Sequence, residues 1–171
     1  MKLKTVIFIA ALMISSIVNA QERKFRFELG LEYPAVTQSG SYAENLLGYY
    51  VRGRYKIGES DLAANLRLSY GRFTRTLTED DNFTYGVVYF TALPYVDWKL
   101  FDFDKVKIYG LLGAGVSIDQ DKLGYDNPTN CHFIATPGFE ALLFDHVNVS
   151  LMYYATKKEY QRLMLSLGYR F

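Results

Sequence analysis

Apolar and polar residues alternate with a period of two at both ends of the chain beyond residue 20, and this pattern strongly limits the possible folds. Successive side chains of a β-strand point to opposite faces, so the pattern predicts strands with one apolar face. In the last segment the apolar set is Leu163, Leu165, Leu167, Tyr169 and Phe171, and the alternate set is Arg162, Met164, Ser166, Gly168 and Arg170. In the first segment the two sets are Phe25, Phe27, Leu29, Leu31 and Tyr33, and Lys24, Arg26, Glu28, Gly30 and Glu32.

Six more strands are predicted between these two segments. They cover residues 46–57, 62–73, 88–100, 106–118, 131–143 and 147–155. In the strand at 106–118, Leu112 is expected on the apolar face and Leu111 on the other face. Pro94 and Pro137 cannot donate a backbone hydrogen bond, so each predicts a bulge or a strand end.

The predicted connections alternate in length. Short turns fall at 58–61, 101–105 and 144–146, whereas 34–45, 74–87 and 119–130 are long and polar, and a fourth, shorter connection falls at 156–160. Transmembrane barrels have short periplasmic turns and longer external loops. We therefore predict an all-β fold, an eight-stranded antiparallel up-and-down transmembrane barrel, with both chain ends on the periplasmic side.

The first 20 residues have the features of a cleavable signal peptide. Lys2 and Lys4 precede the apolar stretch Thr5–Val18, which ends at Val18-Asn19-Ala20. This stretch is shorter than the roughly 20 apolar residues of a membrane-spanning helix. We expect a signal peptide at 1–20 and one barrel domain at 21–171.

Charge and cysteine content exclude some partners and stabilising features. The chain has 19 Lys and Arg against 18 Asp and Glu, and loss of Lys2 and Lys4 leaves 17 basic residues. A nearly neutral mature chain gives no indication of a nucleic-acid partner. Cys131 is the single cysteine, so no disulfide can form within the chain.

Alternation alone does not decide which face of the barrel points outward, because soluble barrels place their apolar face inside. The opposite face carries many charges, which suit a small polar lumen: Arg26, Arg52, Arg54, Arg67, Lys107, Glu140 and Arg162. Aromatic residues gather near predicted strand ends, as in the interfacial girdles of membrane barrels: Tyr33, Tyr70 and Phe73 at the external end, and Tyr55, Trp98, Tyr169 and Phe171 at the periplasmic end. We therefore expect the apolar face to meet lipid.

The segment Leu165-Ser166-Leu167-Gly168-Tyr169-Arg170-Phe171 resembles the carboxy-terminal signal that the barrel assembly machinery reads in outer-membrane proteins. With it, the whole mature chain resembles the small eight-stranded outer-membrane barrels of the OmpX/OmpA type. The resemblance implies a monomer in the outer membrane, surrounded by lipid and lipopolysaccharide. It also implies recognition by the assembly machinery through Leu163, Leu165, Leu167, Tyr169 and Phe171.

Catalytic chemistry has few candidate residues. Barrels that deacylate lipid A pair a His and a Ser two residues apart, but Ile134 stands two residues after His132. His132 with Ser69 or Ser117 and with Glu32 remains a possible triad on geometric grounds. We nevertheless expect that the protein is not an enzyme, and we assign no catalytic residue.

Metal and cofactor sites are not predicted either. Glu79-Asp80-Asp81 and Asp119-Gln120-Asp121 are carboxylate runs in predicted external loops, but neither has the spacing of a calcium loop. A further hypothesis is that these carboxylates share divalent ions with lipopolysaccharide phosphates, which Arg72, Arg75, Lys157 and Lys158 would contact directly.

An eight-stranded barrel is only wide enough inside for side chains, and the expected inward residues are bulky. They are Tyr50, Arg52, Arg67, Tyr95, Tyr109 and Tyr154. We expect a non-enzymatic integral outer-membrane protein that serves envelope structure or a loop-mediated surface interaction. The alternatives are a narrow transporter of small apolar molecules, similar to the OmpW type with its lateral opening, and a lipid-modifying enzyme.

Overall fold

In a computed structural model, eight antiparallel strands close into one barrel. The structure describes residues 24–37, 46–76, 84–122, 127–157 and 160–171, so the predicted signal peptide lies outside the described residues. The strands are β1 (Phe25–Thr37), β2 (Leu46–Lys56), β3 (Leu62–Thr76), β4 (Thr84–Phe103), β5 (Val106–Lys122), β6 (Thr129–Leu143), β7 (Val147–Tyr154) and β8 (Arg162–Arg170). Each strand pairs with the next, and β8 pairs with β1. The predicted fold class is confirmed.

The connections define two ends of the barrel. Residues 57–61, 104–105 and 144–146 form short turns at one end, which we call the turn end. The opposite end, where β1 leads to β2, β3 to β4, β5 to β6 and β7 to β8, is the loop end. Within the described part of the chain, no helix is long and apolar enough to cross a membrane.

Several strands extend further toward the loop end than predicted. β1 continues to Thr37, β3 to Thr76 and β5 to Lys122, so parts of the predicted loops 34–45, 74–87 and 119–130 are strand. Polar side chains there do not interrupt the backbone ladder, because Gly86 still pairs with Lys122. In these strands the apolar stretch therefore marks only part of the strand, and the sequence underestimated their lengths.

The interpretation of Pro94 and Pro137 was wrong, since neither residue forms a bulge or a strand end. Pro94 lies opposite Leu66 in continuous β3–β4 register, and Pro137 lies opposite Leu112. Both prolines are exposed on the outer surface. A strand residue in an antiparallel sheet uses its N–H toward only one neighbour, so a proline is tolerated with a local gap in one ladder.

Register shifts occur at other positions. One lies between Pro34 and Val36 where β1 pairs with β8, and another lies between Lys99 and Phe101 where β4 pairs with β5. A third lies between Leu46 and Tyr49 of β2. All three are close to strand ends, where a local loss of pairing disturbs few neighbouring residues.

Exposure alternates along the strands and shows which face is inside. Leu112 is 54% exposed, whereas its neighbour Leu111 is 2% exposed. The apolar face forms the outer surface of the barrel and the charged face forms its interior, as the sequence predicted. One predicted girdle residue was wrong, because Phe73 is buried inside, with its ring centroid 6.0 Å from that of Tyr89. Phe73 is three positions after the outward Tyr70, and an odd number of positions along a strand reverses the face.

The turn between β6 and β7 is tight because two residues adopt left-handed backbone angles. Phe144 has a φ of 52° and Asp145 a φ of 63°. Positive φ at both central residues is typical of a type I′ turn, whose twist matches that of the flanking strands, and His146 N–H donates to Leu143 O across it at 3.1 Å. Gly58 provides a positive φ, 59°, in the turn between β2 and β3.

The outward position of Leu112 can be tested by charge placement. In lipid vesicles, Leu112→Lys should lower the free energy of unfolding by about 2 to 4 kcal/mol, because an ammonium group midway along the apolar band loses its water. At the turn end, Phe103→Lys should cost only about 0 to 1 kcal/mol. Urea titration measures both, with Leu112→Ala as the control for lost side-chain volume. Equal losses for the two lysine variants would contradict an apolar band that faces lipid.

Candidate functional site

The barrel interior buries many charged side chains. Among the described residues these are Arg52, Arg54, Arg67, Arg162 and Arg170, with Glu28, Glu32, Asp97, Asp119, Asp121 and Glu140. An isolated buried charge is very costly, so such groups must be paired and hydrogen-bonded. They form successive groups along the barrel axis.

The central cluster consists of Glu28, Arg52, Glu140 and Arg170. Arg52 Nη2 lies 2.7 Å from Glu28 Oε2 and 3.1 Å from Glu140 Oε1. Arg170 completes the ring, with Nη2 at 2.8 Å from Glu140 Oε1 and Nε at 3.3 Å from Glu28 Oε2. Two arginines therefore face two carboxylates. Because β2 and β6 lie on opposite sides of the barrel, the contact between Arg52 and Glu140 crosses the lumen.

Glycine makes room for a tyrosine beside the central cluster. Tyr50 donates a hydrogen bond from its hydroxyl to Glu28 Oε1, 2.6 Å away, and Asn148 Nδ2 donates to the same oxygen at 2.8 Å. A Cβ atom at Gly30 or Gly168 would collide with the Tyr50 side chain. These two glycines pair with each other across β1 and β8, so their missing side chains form one space for the ring.

A tight ion pair lies between the central cluster and the turn end. Arg54 donates two parallel hydrogen bonds to Asp97, from Nε at 2.8 Å and from Nη2 at 2.7 Å. Asn65 Nδ2 donates a further bond to Asp97 at 2.8 Å. This bidentate geometry is the strong form of an arginine–carboxylate contact.

A second group lies on the loop side of the central cluster. Arg67 Nη2 lies 2.5 Å from Glu32 Oε2 and 2.6 Å from Ser166 Oγ. Ser69 and Tyr89 donate hydroxyl hydrogen bonds to Glu32 at 3.0 and 2.7 Å. This group joins side chains of β1, β3, β4 and β8 across the interior.

The loop-end cluster consists of Ser117, Asp119, His132 and Arg162. His132 Nε2 lies 2.7 Å from Asp119 Oδ2, and Arg162 Nη1 lies 3.3 Å from the same oxygen. The predicted external carboxylate run 119–121 is therefore not a loop, because Asp119 and Asp121 lie in β5 and are buried. The other run, Glu79-Asp80-Asp81, lies outside the described residues. Within the described ranges, no group of His, Cys, Asp and Glu is arranged to hold a metal ion.

Ser69 and Ser117, the serines of the hypothetical triad, both donate hydrogen bonds to carboxylates. Ser117 lies opposite His132 in register, but its hydroxyl donates to Asp119 Oδ1 at 2.7 Å, and Arg162 Nη2 donates to Ser117 Oγ at 3.0 Å. Ser69 donates to Glu32, which is already paired with Arg67. A serine nucleophile needs a base that accepts its proton. Here both hydroxyls donate to carboxylates that are already paired with arginines, and neither serine is shown bonded to His132.

A polar cavity of about 170 Å³ opens at the turn end, and we call it the turn-end mouth. It is lined by Arg26, Arg54, Lys56, Ser60, Asp61, Lys99, Asp102, Lys107, Tyr109 and Asp145. Lys99 Nζ lies 2.9 Å from Asp102 Oδ2 and 3.1 Å from Asp61 Oδ1. Lys107 Nζ donates to Asp145 Oδ1 at 2.6 Å, and this hydrogen bond lowers the pKa of the Asp145 carboxyl.

The structure brings together most of the predicted inward charges. Arg52, Arg54, Arg67, Glu140 and Arg162 all lie within the buried network, whereas Arg26 and Lys107 line the turn-end mouth. The sequence did not reveal the carboxylate partners of Arg54 and Arg162. The period-two spacing does indicate that both carboxylates point inward. Asp97 lies two residues after the inward Tyr95, and Asp119 lies two residues after the inward Ser117.

Neither protein-family models nor curated protein sequences match this chain. Solved structures, in contrast, match this chain. Ail of Yersinia pestis, in complex with the heparin analogue sucrose octasulfate, is 18% identical, with a TM-score of 0.55 over 86% of this chain and 97% of that chain. Neisserial surface protein A is 14% identical, with a TM-score of 0.57 over 86% of this chain and 96% of that chain. At these identities the likeness establishes the fold, and it confirms the resemblance to small eight-stranded outer-membrane barrels at that level.

The balance of the central cluster predicts non-additive mutational effects. Arg52→Met leaves Glu28 and Glu140 with Arg170 alone, and should lower the free energy of unfolding by about 3 to 5 kcal/mol. The double variant Arg52→Met, Glu140→Gln restores one carboxylate to one arginine. It should therefore lose less than the sum of the two single variants in urea titrations from vesicles.

The matched control is Lys107→Met, which breaks the partly exposed pair with Asp145 and should cost less than about 1 kcal/mol. Strictly additive losses for Arg52 and Glu140 would contradict a direct interaction between them across the lumen.

Proposed function

We propose that this chain is a non-enzymatic integral outer-membrane protein whose sealed barrel supports functional surfaces at its ends. The observation that carries the proposal is the buried network that crosses the lumen, above all the contact between Arg52 and Glu140. A barrel filled in this way leaves little room for a water-filled path. Its contribution is then to envelope structure, or to an interaction through the connections at the loop end.

The apolar outer surface supports a location in a bilayer. Exposed leucines and aromatic residues occur on all eight strands, and water would not stabilise so large an apolar surface. The fold shared with Ail and with Neisserial surface protein A supports the outer membrane in particular. In the proposed orientation the turn end and both chain termini are periplasmic, because membrane barrels place their short turns there.

The proposed contacts with the envelope involve two surfaces. At the loop end, Arg72 and Lys157 are exposed, and we propose that they contact lipopolysaccharide phosphates. On β8, Leu165, Leu167, Tyr169 and Phe171 are exposed on the outer surface, while Leu163 is half-buried. An outward apolar row that ends in Phe is the feature we propose for recognition by the assembly machinery.

The absence of enzymatic activity is proposed from the hydroxyl geometry. Ser117 and Ser69 both donate to carboxylates that arginines stabilise, so neither has a free base to activate it. His132 lies beside Asp119 and packs against Tyr160, with ring centroids 4.2 Å apart. These contacts fit a histidine that holds the interior together.

Sealing is tested in planar bilayers. The purified barrel, shown to be folded by a heat-sensitive shift in gel mobility, should give no stepwise conductance above that of a protein-free bilayer. Cells that express it should yield lipid A of unchanged mass. Stable conductance steps would contradict the sealed lumen, and a lipid A mass shift that Ser117→Ala abolishes would contradict the non-enzymatic assignment.

A further inference from the structure

The turn-end mouth holds more positive than negative charge. Five cationic side chains line it, against three carboxylates. Lys99 and Lys107 are paired with lining aspartates, and Arg54 is paired with Asp97 just beneath. Among the described residues, Arg26 and Lys56 form neither an ion pair nor a side-chain hydrogen bond. Within the described part of the chain, Arg26 has only the longer-range attraction of Asp145, which already accepts a hydrogen bond from Lys107, and Lys56 has no ion pair.

The register makes this arrangement unfavourable by itself. Arg26 of β1 lies directly opposite Arg54 of β2, and like charges at such positions repel. Arg54 cannot reduce the repulsion by moving away, because Asp97 holds it in a bidentate contact and its guanidinium also lies 5.2 Å from the centroid of the Tyr109 ring. An anion between Arg26 and Lys56 would offset the repulsion.

We propose that the turn-end mouth is a binding site for a phosphate group, with Arg26 and Lys56 as its principal ligands. Cations exceed carboxylates even when Asp97 is counted, five against four, and a phosphate group offers three acceptor oxygens, enough to contact both side chains at once. A guanidinium presents a planar set of donors to phosphate oxygens, and an ammonium adds a compact charge. This site goes beyond the proposed function, which concerns the lumen, the loop end and the outer surface.

The phosphate group has two possible sources. One is a phosphate or phosphomonoester dissolved in the aqueous phase, and the other is the headgroup of an anionic phospholipid at the rim of the barrel. Competition between the two sources distinguishes them.

The experiment titrates inorganic phosphate into the folded barrel in nanodiscs of zwitterionic lipid, with binding followed by calorimetry in phosphate-free buffer. Saturable binding is expected, and Arg26→Gln or Lys56→Gln should weaken it by about tenfold or more, since each removes a charged hydrogen-bond donor. The matched control is Lys105→Gln, which removes an exposed charge at the same end but outside the cavity lining. Its affinity for phosphate should equal that of the parent protein.

Gel mobility confirms that each variant is folded before titration. Repeating the titration in nanodiscs that contain anionic phospholipid separates the sources: unchanged affinity assigns the site to a dissolved phosphate, and weakened affinity assigns it to the headgroup. Failure of the folded parent protein to bind phosphate saturably at millimolar concentration would overturn the proposal. An equal loss of affinity in Lys105→Gln would overturn it too, because binding would then depend only on net charge.

Discussion

Closure of the sheet into a barrel is the constraint on which the other features depend. It pairs every strand with two neighbours, and so removes the exposed edges that an open sheet would have. An apolar outer surface then requires the alternate residues of each strand to point inward. The interior of eight strands is narrow, so the charges placed there must pair with one another rather than with bulk water. The ring of Glu28, Arg52, Glu140 and Arg170 satisfies this requirement at the centre.

The interior and its turn end differ in charge balance. In the centre, two carboxylates face two arginines and both groups are buried, which is the arrangement expected of a structural network. In the turn-end mouth, cations exceed carboxylates, and solvent can enter. An excess of cations at a solvent-accessible site supports the proposed binding of an anion, whereas balanced charge in a closed interior supports a structural role. The same alternation that points Arg52 inward toward Glu140 also places Arg26 opposite Arg54.

Much of the fold could be predicted from the sequence because period two is a direct consequence of strand geometry. It indicated eight strands, the outward position of Leu112 and the inward arginines. The period-two pattern failed where backbone hydrogen bonding, and not the polarity of the side chain, determines how far a strand extends. Pro94 and Pro137 are tolerated because each interrupts only one ladder, and strands such as β5 continue past the apolar band because polar residues pair equally well. Period two also places Asp97 and Asp119 on the inward face, but which arginine each one pairs with depends on packing across the interior, which no local pattern encodes.

The central claim is that a salt bridge between β2 and β6 crosses a closed lumen. Solid-state NMR of the barrel in lipid, with labelled arginine nitrogens and carboxyl carbons, measures it directly. A through-space contact between the Arg52 guanidinium and the Glu140 carboxyl carbon, at a distance that fits their hydrogen bonds, is the result predicted. An Arg52 guanidinium in contact with water or lipid phosphate, and with no correlation to Glu140, would contradict the account.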